Sequence, residues 1–131
     1  SFTQVQLSSD GGASYITTNY RYARQRNYIS SGTGYAQEGK STNTSFVAQL
    51  GSSGTSSNEK GNSYAYLYNL LDSAKYSFGT FQSISVSSTD LDSYFGTGFL
   101  PTAAAHNSIR ITANSGNIEE MNISLYGIRF A

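Results

Sequence analysis

No cysteine occurs in this chain, so no disulfide can staple it and no thiolate can hold a metal; its stability must come from packing or from partner subunits. Charge is scarce as well. Only 12% of residues are charged and the eight basic side chains balance the eight acidic ones, which removes the clustered cations that nucleic acid or an anionic membrane surface requires. Nucleic acid is therefore not an expected partner. No window approaches about 18 consecutive apolar residues, and the opening Ser-Phe-Thr-Gln lacks the basic and apolar regions of a signal peptide, so membrane insertion is not expected either. There is one proline, Pro101, and one histidine, His106.

Ser, Thr, Asn and Gly dominate, with 11 Tyr supplying much of the aromatic content. A chain of 131 residues can build one modest core, removing about two-thirds of the extended chain's surface from water. No 3.6-residue apolar period persists over three turns. Short alternating segments recur between Gly, Ser and Asn clusters instead, which predicts an all-β, antiparallel jelly-roll-like sandwich forming a single domain over residues 1–131. Strands are expected at Phe2–Ser8, Tyr15–Ala23, Ser45–Leu50, Tyr64–Leu71, Tyr76–Val86, Ser108–Ala113 and Asn122–Phe130, with at most one helical turn near Asp90–Phe95. Tyr64–Leu71 carries Tyr64, Tyr66, Tyr68 and Leu70 on one face and Ala65, Leu67, Asn69 and Leu71 on the other, which suits a central strand. Ser30–Asn43 and Gly51–Asn62 read as surface loops.

Two hairpin signals stand at the ends. Val5-Gln6-Leu7 runs through Asp10-Gly11-Gly12 into Tyr15-Ile16-Thr17, and Ile109–Ile128 closes through Ser115-Gly116-Asn117 into Leu125-Tyr126-Gly127-Ile128. In the last strand Ile123, Leu125 and Gly127 alternate with Tyr126, Ile128 and Phe130, so both faces need cover. Pro101, which fixes φ and lacks an amide donor, belongs outside a regular central strand, at the entry to the closing hairpin.

Catalytic patterns are weak, and no enzyme is expected. His106 has many serines to pair with but no nucleophile elbow, which leaves a turn or surface histidine. Asp90 and Asp92 offer oxygen ligands without the glycine and further ligands of a calcium loop, so no metal or other cofactor is expected and a solvated turn or cap explains them. Asp10 fits turn chemistry before its two glycines. Glu119-Glu120 would point to opposite faces of an extended chain and so fail to converge as a hydrolytic pair. Two glycosylation-type sequons, Asn43-Thr44-Ser45 and Asn122-Ile123-Ser124, are patterns that Ser-rich sequences produce by chance.

The sharpest local cluster is Tyr20-Arg21-Tyr22-Ala23-Arg24-Gln25-Arg26-Asn27-Tyr28, where three Arg interleave with three Tyr. Such a combination stacks on bases, sugars or a neighbouring subunit. In an extended chain Tyr20 and Tyr22 share a face with Arg24 and Arg26 beyond them, giving core at the start and surface at the end. The competing reading is a protein interface, where Tyr and Arg are enriched. Tyr20, Arg21, Tyr22, Arg24, Arg26, Tyr28, Tyr35 and Tyr94 are the candidate interface or ligand contacts.

In order, Val5–Tyr15, Tyr20-Arg21-Tyr22-Ala23, Ala65-Tyr66-Leu67-Tyr68-Asn69-Leu70, Ala104–Ile111, Ser115–Ile118 and Ser124–Ile128 resemble a β-sandwich domain of tailed-bacteriophage virion structural proteins, found in tail fibres and in head- or tail-associated proteins. The resemblance implies a jelly-roll fold, a place in the virion, an architectural or host-contacting role, and partners that are other copies of the chain and other virion proteins. In the resembling domains another apolar strand usually precedes the Asp-Gly-Gly turn, whereas here only Ser1–Thr3 do. That departure, with Ser1 rather than Met at the start, implies an open sheet edge filled by a preceding segment or a neighbouring subunit. The second expectation is a carbohydrate-binding module for a host-surface glycan, for which Tyr28, Tyr35 or Tyr94 would lie side by side on an open face.

Overall fold

The computed structural model describes residues 2–52 and 56–128, and its elements run β1 (Phe2–Ser8), β2 (Tyr20–Ile29), β3 (Thr33–Asn43), β4 (Phe46–Ser52), β5 (Gly61–Tyr68), β6 (Tyr76–Ser87), β7 (Asp90–Ala103) and β8 (Ser108–Ala113). They form two antiparallel sheets, β4-β1-β8 and β3-β2-β7-β6-β5, and no helix occurs among the described residues. The all-β sandwich expected from the sequence is what the chain adopts.

Alternation drives the layering. Along β6 the inward positions Ser77, Gly79, Phe81, Ser83 and Ser85 are buried while Phe78, Gln82 and Ile84 are exposed, the period-two pattern of a sheet with one covered face. The small sheet contributes Val5 and Leu7, the large one Tyr20, Phe81 and Leu100, and Ile16, Leu70, Ile109 and Ile111 close around them. The Tyr20 hydroxyl is held inside this core by two bonds, accepting from the Leu7 amide (2.8 Å) and donating to the Ile16 carbonyl (3.1 Å).

Several local expectations give way to topology. The Asp10 turn forms: Gly11 and Gly12 take positive φ, and the Asp10 carboxylate accepts from Ser8 Oγ, the Ser14 amide and Ser14 Oγ, which hold its pKa well below the usual range. The flanking segments are not a hairpin, however. β1 lies between β4 and β8, and the next strand begins only at Tyr20, in the other sheet. Both edges of Phe2–Ser8 are thereby occupied, including the one expected to lie open.

The expected loop Ser30–Asn43 is mostly strand, because Tyr28 lies across Gly34: a Cβ there would sit 2.5 Å from the tyrosine oxygen, and glycine lets β2 and β3 pair closely. Asp90–Phe95 opens β7 rather than a helical turn, pairing with β6 beyond a turn in which Ser88 has φ +56. Tyr64–Leu71 yields β5, which ends at Tyr68 and lies at the edge of the large sheet, not its centre. Pro101 lies inside β7, at an irregularity where Ser77 pairs with Leu100 but Tyr76 with Ala103, so its missing amide breaks no regular ladder.

The closing hairpin keeps only its first arm. β8 has the expected bounds, and Gly116 has the positive φ of a turn, but residues 117–128 pair with no strand and Ile123, Leu125, Tyr126 and Ile128 face solvent. Phe130, the end of that expected strand, and residues 53–55 of the expected loop Gly51–Asn62 lie outside the described residues.

His106 corrects another expectation: it lies in the connection between β7 and β8 and is almost fully buried. Its Nδ1 lies 2.7 Å from Ser77 Oγ, and Nε2 has no partner among the described residues. Burial disfavours the imidazolium and holds its pKa below the ordinary value of 6.5. The unfolded chain therefore binds the proton more readily, so the contribution of neutral His106 is complete above about pH 6.5 and falls away as the pH drops toward the folded value. Urea midpoints should decline between pH 7.5 and pH 5.5 with unchanged m, and a His106→Gln variant should decline less.

Candidate functional site

The Tyr/Arg cluster is a structural ladder. Tyr20, Tyr22, Arg24, Arg26 and Tyr28 all project from the inner face of β2, and Tyr94 on β7 stands directly opposite Arg26. Arg24 lies 5.5 Å from the Tyr22 ring centre and 4.7 Å from that of Tyr94; Arg26 lies 4.6 Å from Tyr28 and 5.9 Å from Tyr94. Rings and guanidiniums therefore alternate across the face. Each cation is neutralised in place: Arg24 Nε donates to Glu38 Oε2 at 2.7 Å, with Nη2 on the same oxygen, and Arg26 Nε donates to Asp92 Oδ1 at 2.6 Å. The Asp92 hydrogen bond raises the Arg26 pKa, and burial raises those of Tyr94 and Tyr20.

Of the two arginines expected at the surface, Arg24 is buried, whereas Arg26 stays about a third exposed. The Arg24 side chain is 8% exposed, because Gly96 opposite it leaves room for the guanidinium to fold onto Tyr94. Asp92 is an ion-pair partner rather than a solvated turn residue, while Asp90 accepts from Ser30 Oγ at 3.1 Å. Of the remaining candidates, Arg21 and Tyr35 project from the opposite, outer face, Arg21 against Phe99 and Tyr35 into solvent at the edge strand β3. Tyr28, Tyr35 and Tyr94 therefore do not form one open row, since Tyr35 is on the other side of the sheet and Tyr94 is 6% exposed.

A different row is open. On the outer face of the large sheet, Tyr64, Tyr66 and Tyr68 line edge strand β5, Phe78 and Gln82 follow on β6, Phe95 on β7 and Gln25 on β2. Tyr64 and Tyr66 meet edge to face with centroids 5.9 Å apart, and Tyr68 stacks on Phe78 at 5.0 Å. The tyrosines rise beside a floor of smaller groups, Ala23, Gly39, Thr80 and Thr97, giving an open trough of about 960 Å³.

Comparison with family models, with curated proteins and with solved structures finds no match.

The chemistry of the site therefore rests on its own side chains. Arg24, Glu38 and Phe81 border the trough but project to the inner face, so the outward groups are rings, amides and hydroxyls without formal charge. Sequence reasoning placed the three tyrosines on one face correctly and missed that this face is uncovered. The signal was the other face of the strand, Ser63, Ala65 and Leu67, which is slighter and of which Ser63 and Leu67 are half-buried.

Proposed function

We propose that the chain is a non-enzymatic structural domain of a bacteriophage virion, part of a tail fibre or a capsid-associated decoration, which acts through subunit packing and strand pairing. The sequence resemblance supplies the context, and residues 117–128 carry the reading. Leu125 is 80% and Tyr126 83% exposed, with Ile123 and Ile128 largely uncovered beside them. Burying each such side chain is worth about 1.5–3 kcal/mol, so a segment with four of them has a strong drive toward a partner surface.

The acceptor is the outer edge of β8, which pairs with no other strand among the described residues. Its Ile109 and Ile111 already face the core, so an added strand would extend the apolar layer. The donor in this reading is residues 122–128 of a neighbouring copy. Sedimentation velocity of the full chain should show a concentration-dependent oligomer, and Leu125→Asp with Ile128→Asp should return it to monomer with the core intact by circular dichroism. A wild-type chain that stays monomeric at every concentration refutes the self-assembly mechanism.

A further inference from the structure

We infer that the outer trough on the large sheet is a binding site for a neutral oligosaccharide, lined by Tyr64, Tyr66, Tyr68, Phe95, Gln82 and Gln25. This inference is independent of the assembly reading, which uses the small sheet and the C-terminal segment.

The face is costly to leave bare. Tyr64 is 56% exposed and Tyr66 and Phe95 about half exposed, all on the face of the large sheet turned away from the core. Tyr64, Tyr66 and Tyr68 stand on alternate residues of one strand, with the Tyr64 and Tyr66 ring centres 5.9 Å apart, so a chain ligand lying along β5 would meet the rings in succession. The π faces of tyrosines carry negative potential and accept the polarised C–H faces of sugars.

Polar groups are spaced between the rings. Gln82 accepts the Tyr64 hydroxyl through Oε1 at 2.5 Å, which fixes the amide and leaves its N–H groups for a ligand. Gln25 and Gln37 face each other across β2 and β3 with no side-chain hydrogen bond to another described residue, and Thr80 and Thr97 pair across β6 and β7 on the floor. A small set of donors and acceptors among aromatic side chains is the composition of a ligand site, here on an open face. The outward side chains of the trough itself carry no charge to recruit a phosphate or an acidic glycan, and Arg21, on the same face, lies against Phe99.

The test is titration of the full chain by calorimetry and by tyrosine NMR with hexasaccharides of glucose, mannose and N-acetylglucosamine, with sialyllactose as the acidic control. Binding of at least one neutral hexasaccharide and not sialyllactose is expected. Tyr66→Ala and Gln82→Ala should each weaken it at least tenfold with unchanged melting temperature, and Tyr126→Ala, on the C-terminal segment, should leave it unaltered. No binding across the neutral panel, binding indifferent to Tyr66→Ala, or loss of self-association in Tyr66→Asp, which would make the face an interface between copies, each overturns the proposal.

Discussion

Tyr20→Ala lowers the unfolding free energy by about 3–5 kcal/mol, the range for deleting a fully buried aromatic ring, and Tyr20→Phe lowers it by about 1–3 kcal/mol through one lost hydroxyl. The ring is 0% exposed and packs with Val5 and Leu7 of the small sheet and Phe81 and Leu100 of the large one, so its removal opens a cavity at the junction of the two layers. The hydroxyl has a separate task. It accepts from the Leu7 amide and donates to the Ile16 carbonyl, tying β1 to the connection that carries the chain from one sheet to the other. Phe would fill the space and leave both backbone groups without that partner. Urea denaturation of the three proteins separates the effects, and a Tyr20→Phe variant as stable as wild type would show that the hydroxyl contributes nothing to the junction.

Gly96→Val is the second large effect, about 1–3 kcal/mol as an overpacked position, with Arg24 displaced from its stack. A Cβ at residue 96 would lie 2.5 Å from the Ala23 carbonyl oxygen, 2.7 Å from Arg24 Cβ and 2.8 Å from Arg24 Cα. Two of those atoms are backbone of β2, which is held on its other side by β3, so the strand cannot retreat without disturbing one ladder or the other. Arg24 also needs the vacancy to lie over Tyr94 and reach Glu38. Gly32→Ala is the control, since nothing lies within 4 Å of its Cβ position and its φ is not positive; it should stay within about 0.5 kcal/mol of wild type. Thermal unfolding with the Tyr94 ring resonances as a second probe checks both the cost and its cause.

How much of this was legible beforehand varies by residue. Phe2–Ser8, Tyr76–Val86 and Ser108–Ala113 emerged nearly to the residue, because period-two alternation and flanking turns act within a few residues. The Asp10 turn was equally local. Thr33–Asn43 was not seen as a strand because its three-glycine neighbourhood reads as loop until the Tyr28 ring occupies the space over Gly34. The buried place of His106 depends on Ser77, 29 residues away, and the burial of Arg24 on Gly96 and Tyr94 across the sheet. The exposed tyrosine row was visible as a row; its exposure was not, since edge position is a property of strand order.

The residues alone determined an all-β chain with balanced charge and no thiol chemistry, and they set which side chains share a face, because alternation is fixed by backbone geometry and composition by the residues present. Tertiary structure decided which face is covered. It turned Tyr20, Tyr22, Arg24, Arg26 and Tyr28 to the inner face, left Tyr64, Tyr66 and Tyr68 outward, and left residues 117–128 unpaired with any strand among the described residues, because which face is covered depends on strand order and sheet stacking over distances that no local pattern records.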